Sequence, residues 1–84
     1  MIWKLRWGFA ARTTLRALPL PTAERVDAAV IRLAEDEEGT ITYVPDIHPM
    51  GGYLHVGSMV VFFTLEPKEG VMTVWNIFRR RRLI

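Results

Sequence analysis

The chain of 84 residues contains no cysteine, which excludes disulfides and thiolate metal sites as sources of stability. It has only two histidines, His48 and His55. A zinc site would need carboxylates to complete it, and their spacing supports none. Long apolar runs are missing too. The longest, Met59 to Phe63, is far short of the ~20 residues of a membrane helix. At the N-terminus Lys4 and Arg6 sit inside an alternating pattern rather than ahead of an apolar stretch, so no signal peptide is expected. Together with the lack of cysteine, this leads us to expect a cytoplasmic protein that neither enters a membrane nor carries a metal or cofactor. Gly51-Gly52 opens a strand rather than a helix, which argues against a phosphate-binding glycine loop and for a turn or bulge. Ser58 lacks the surroundings of a nucleophile elbow.

What is present is enough for a core. Half of the residues are apolar, with three Trp, four Phe and two Tyr, a composition that argues against disorder. The length fits one domain, residues 1–84, and a core this small is marginal unless a bound partner adds stability. Charge is distributed unevenly. The net charge is +2 and the run Arg79 to Arg82 carries +4, which leaves −2 for the rest of the chain. The acidic counterweight is Glu35, Asp36, Glu37 and Glu38, read as a solvated helix end liable to fray, because the macrodipole disfavours negative charge there. The basic block at the other end suits a polyanion or an acidic partner.

Periodicity predicts the elements. Ile2 to Trp7 alternates, so Trp3, Leu5 and Trp7 share one face of a strand and Lys4 and Arg6 the other. Phe9 to Leu18 reads as a short helix. Pro19 and Pro21 end it and start another, in which Val26, Ala29, Val30, Leu33 and Ala34 form an apolar stripe over Thr22 to Asp36. Four strands follow: Ile41 to Val44, Gly52 to Val56, Met59 to Leu65 and Val71 to Phe78. A loop over Asp46 to Gly52 separates the first two, and a hairpin loop over Glu66 to Gly70 separates the last two. The order β-α-α-β-β-β-β predicts an α+β fold, with a two-helix hairpin on one sheet face and an antiparallel meander. Leu54 and Val56 should meet the helices, so Tyr53 and His55 should join Lys4 and Arg6 on the open face. There cations would bind phosphates, the ring would stack on an unpaired base, and the histidine would move a proton near neutral pH.

The pattern resembles the RelE/ParE superfamily of toxins from bacterial toxin–antitoxin systems over nearly the whole chain. The resemblance rests on the β-α-α start, on the stretch from Gly52 to Phe63 with its Tyr53, His55 and Gly57, and on Val74 to Arg80. It implies a toxin neutralised by a co-encoded antitoxin, and either cleavage of messenger RNA on the ribosome or inhibition of DNA gyrase. By position, Arg80 with Arg79 or Arg81 matches the basic group that meets the scissile phosphate, and His55 takes the slot of an arginine before the glycine turn. Arg80 and His55 are thus the catalytic candidates. Lys4, Arg6, Tyr53, Arg79 and Arg81 are the nucleic-acid-binding ones.

Two departures stand out. Met59 falls where the cleaving members carry a catalytic arginine, and a methionine cannot stabilise charge developing on phosphate. The sequence also ends at Ile84 without the tyrosine or histidine that many of them use. The alternatives are therefore a non-catalytic gyrase-type or degenerate antitoxin-binding member, or a small RNA-binding domain outside toxin systems.

Overall fold

Alternation at the N-terminus gives a strand, β1 (Lys4–Trp7), with Trp3, Leu5 and Trp7 packed on the core and Lys4 and Arg6 exposed. The computed structural model describes residues 2–45 and 50–80. His48 and Pro49 of the expected loop, and Arg81 and Arg82, lie outside the described residues. Helix α1 (Phe9–Ala17) follows Gly8 and buries Ala11. Leu18 is extended, as a residue before proline favours, and Pro19 caps α2 (Leu20–Asp36). Pro21 sits in the first turn of α2, where no N–H is needed. The stripe Val26, Val30, Leu33 and Ala34 is buried, as its spacing predicts.

The acidic end of α2 departs from expectation. Glu37 adopts a left-handed conformation (φ 56°) and its N–H donates to the Leu33 carbonyl at 3.0 Å. Its Oε1 accepts from the Trp3 indole at 3.1 Å, and the Trp3 N–H donates to the Ala34 carbonyl at 2.9 Å. These bonds satisfy groups that a helix terminus otherwise leaves open. The helix end is tied to the start of β1 rather than left to fray.

Strands β2 (Thr40–Val44), β3 (Gly51–Val56), β4 (Met59–Glu66) and β5 (Val71–Arg79) form the expected antiparallel meander. β1 pairs with β5 in parallel, so the five-stranded sheet is mixed, in the order β1-β5-β4-β3-β2. Helices cover one face, where Leu54, Val56, Met59, Val61, Phe63, Met72, Val74 and Ile77 pack with Ala11, Val26, Val30, Leu33 and Ala34. Among the described residues no helix is long and apolar enough to cross a membrane.

Two features of the sheet go beyond the sequence pattern. Gly51 and Gly52, read as a turn or bulge, lie within β3 and pair in register with Val44 and Tyr43 on one side and Thr64 and Phe63 on the other. The bulge occurs instead in β5. Phe63 pairs with Val74 and Phe62 with Asn76, so Trp75 is the extra residue. Val74 and Ile77 both belong to the core, and the bulge therefore turns two consecutive residues, Trp75 and Asn76, away from it.

At Gly52 a Cβ would lie 2.8 Å from the Thr42 carbonyl oxygen on the neighbouring strand. Gly52→Ala is expected to destabilise the chain by about 1–3 kcal/mol through overpacking. Urea unfolding followed by circular dichroism measures the change, and an unaltered midpoint would refute the close approach.

Candidate nucleic-acid interface

Residues that alternate with the core emerge on the face away from the helices. β3 presents Tyr53 and His55, β4 presents Val60, Phe62 and Thr64, and β5 presents Trp75, Asn76 and Phe78, followed by Arg80. The aromatic rings form one group. Tyr53 lies 5.3 Å from Phe62 (centroid to centroid, interplanar 41°) and meets Phe78 edge-on at 6.0 Å. Both contacts fall in the range of favourable aromatic pairs.

His55 is held at both ring nitrogens. Its Nδ1 is 3.1 Å from an Arg80 guanidinium nitrogen and its Nε2 is 2.9 Å from the Thr42 hydroxyl. A guanidinium has donors only, so Nδ1 must accept. The proton therefore sits on Nε2, which donates to Thr42 Oγ1. Arg80 is itself fixed, because its N–H donates to the Ser58 carbonyl at 2.7 Å, at the turn between β3 and β4. The corner thus joins an exposed guanidinium, whose remaining donors can take a phosphate, to an imidazole with a defined tautomer.

The other residues expected at the site are placed differently. Lys4 and Arg6 are exposed on the same face, but at the β1 edge, three strands from β3. Arg6 is level, through Thr73 and Thr64, with Gly51. At the usual strand spacing and rise, Arg6 and His55 are separated by about 19 Å. A depression of about 220 Å³ lined by Lys4, Leu5, Arg6 and Val71 marks that edge. Arg79 pairs with Met59, whose side chain is in the core, so alternation directs it to the helix side, opposite Arg80. Arg81 lies outside the described residues.

Met59, the position matched to a catalytic arginine, is 4% exposed and packs beneath the helices. A side chain there does not reach the open face. The β4 residue opposite His55 is Val60, which is also apolar, so no cation enters the corner from β4. Sequence reasoning missed Thr42, Phe62, Trp75 and Phe78. The continuous apolar run Met59 to Phe63 gives no alternation to single out Phe62, whose facing follows only from its pairing with Tyr53. The bulge hides the facing of Trp75 and Phe78.

No protein-family model and no curated protein matches the sequence. Solved structures do match in fold. The isolated RelE toxin of E. coli superposes with a TM-score of 0.81 at 11% identity, over 96% of this chain and 87% of that one. The archaeal RelE–RelB complex from Pyrococcus horikoshii OT3 gives 0.77 at 15% identity, over 99% of this chain and 100% of that one. The RelBE2 toxin–antitoxin complex from Mycobacterium tuberculosis gives 0.79 at 12%, over 95% and 100%. The class is thereby defined: this is the α+β fold of the RelE toxins. It is the fold that the resemblance implied.

The tautomer is directly testable. The ¹⁵N shifts of His55 are expected to report a protonated Nε2 and an unprotonated Nδ1. Arg80→Ala should change folding stability by less than about 1 kcal/mol, because the bond it removes is exposed to water. A protonated Nδ1 in the neutral ring would contradict the assignment.

Proposed function

We propose that the chain is the toxin of a type II toxin–antitoxin system, a cytoplasmic protein that acts on messenger RNA at the ribosome through its open sheet face. The observation that carries this reading is the Arg80–His55 hydrogen bond beside Tyr53, on a fold shared with RelE toxins. In this reading Arg80 binds the scissile phosphate and offsets the charge that develops on it. As the guanidinium turns to the phosphate it releases His55 Nδ1, which then accepts the proton of the attacking 2′-hydroxyl. The 2′-oxygen bonds to phosphorus, the bond from phosphorus to the 5′-oxygen breaks to leave a 2′,3′-cyclic phosphate, and the departing 5′-oxygen takes a proton from water. Tyr53 supports a neighbouring base. The protein partner is an antitoxin, as in the RelE–RelB complexes that share the fold.

One observation favours a second reading. Met59 is buried and Val60 is apolar, so the corner holds one described arginine where a cleaving toxin would use more. A gyrase-type toxin, or a member that retains only antitoxin binding, needs no cleavage chemistry.

Inducible expression followed by mapping of messenger RNA ends separates the two. The first reading expects growth arrest with new cuts, and a loss of at least ~10²-fold in cutting for Arg80→Ala and for His55→Ala. Arrest without cuts would replace it with the gyrase reading, and full cutting by both variants would remove the residue roles. A short adjacent reading frame for an acidic antitoxin is expected on either reading and not for an RNA-binding domain outside toxin systems.

A further inference from the structure

Trp75 takes no part in the corner chemistry, yet it is held unusually firmly for a ring that is 45% exposed. Its Nε1 donates to Thr64 Oγ1 at 2.7 Å, on β4. At the other side of β5, a Cβ on Gly8 would lie 3.3 Å from Trp75 Cε3. The indole thus lies across β5, between a glycine beside β1 and a hydroxyl on β4. Thr64 is 7% exposed and, among the described residues, no buried side-chain polar atom lacks a partner. Its hydrogen bond to Thr64 fixes one edge of the ring, and much of the indole remains open to solvent.

Its neighbours have a consistent chemistry. Lys4 and Arg6 stand on the adjacent strand, Arg6 level with Thr73. Further along β5 come Asn76 and then Phe78, itself 43% exposed, and beyond the strand Arg80. The line therefore reads cation, indole, amide, phenyl, cation. Glu66 is the one carboxylate that the strand alternation turns to this face among the described residues, and it sits at the far end, level with Val71 and Lys4.

We infer that this line is a track for single-stranded RNA, in which one unpaired base stacks on Trp75, the flanking phosphates meet Arg6 and Lys4, and the strand continues over Phe78 to Arg80. Exposed aromatic rings in a basic groove bind unpaired bases by stacking, whatever their identity. A ring already fixed loses little freedom on binding. A protein ligand for this face would have to satisfy two separated cationic ends around a flat aromatic centre, which a strand of alternating phosphates and bases does naturally. The track rests on the open-face reading above, but it does not depend on cleavage.

The test uses the purified full chain and a fluorescein-labelled twelve-nucleotide oligoadenylate, followed by anisotropy. Trp75→Ala is expected to weaken binding about tenfold and Trp75→Phe by much less. Arg6→Ala and Lys4→Ala should each lower the slope of log affinity against log salt by about 0.7. An oligonucleotide carrying abasic sites should bind Trp75→Ala and the unaltered chain equally, a result that a merely structural role for the indole would not give. Equal binding of the normal oligonucleotide by folded Trp75→Phe, Trp75→Ala and unaltered chain would overturn the track. So would Trp75-dependent binding of an acidic peptide without binding of RNA. Cuts in cells that persist in both Trp75 variants, with equal RNA affinity, remove the track and leave the toxin reading. RNA binding that needs Trp75 without arrest or cuts does the reverse.

Discussion

Strands β1 and β2 are consecutive in the chain but occupy opposite edges of the sheet, so whatever connects them must cross its full width. Five strands span about 19 Å between the outer axes, and the 17 residues of α2 rise about 25 Å. The two helices occupy that connection, but α2 ends where Ala34 and Glu37 bond Trp3 at the start of β1. The helix therefore lies back across the sheet, and the residues after Glu37 lead on to β2; between them α1 and α2 cover one face. The other face is then left to the strands alone. Its composition is free to differ from that of the core, and it does. The helix side is mostly aliphatic around Phe63, with Trp3 and Trp7 at its margin and no cation in the core, while the open side carries Tyr53, Phe62, Trp75 and Phe78 with cations at both ends.

That division also explains how a small chain holds polar groups close together without burying them. His55, Thr42 and Arg80 come from β3, β2 and the residue just after β5, and each rides on a backbone whose opposite surface is packed. The hydrogen bonds among them are exposed and individually worth little to stability. Their geometry is set by the ladder beneath, in particular by the N–H of Arg80 on the Ser58 carbonyl.

Much of this was legible in the sequence, because binary alternation is a strong signal wherever one face is buried. The facing of Trp3, Leu5, Leu54 and Val56, and hence of Tyr53 and His55, follows from it directly, as do both helices and the meander. Three things were not legible. The parallel partnership of β1 with β5 joins the two ends of the described fold, and no local pattern records a pairing so distant. The tether between Trp3 and Glu37 looked like surplus charge at a helix end, because a left-handed glutamate is uncommon and its partner lies 34 positions away. Most consequential was the phase of β5. Alternation read across Val71 to Phe78 without a bulge would have placed Phe78 with Val74 in the core; the extra residue at 75 reverses every facing after it.

The reversal casts the arginine run in a different light. In the observed register Arg80 reaches the open face and Arg79 the helix side; pairing without the bulge would exchange them. Because both positions are arginine, a cation stands at that corner in either register. The charge there is insensitive to a slip of one residue, as a repeated letter survives a frameshift. The aromatic surface has no such redundancy, since the unbulged register would bury Phe78 and expose Ile77. Repetition thus safeguards the electrostatics of the corner, and the burden of keeping the sheet in phase falls on the rings.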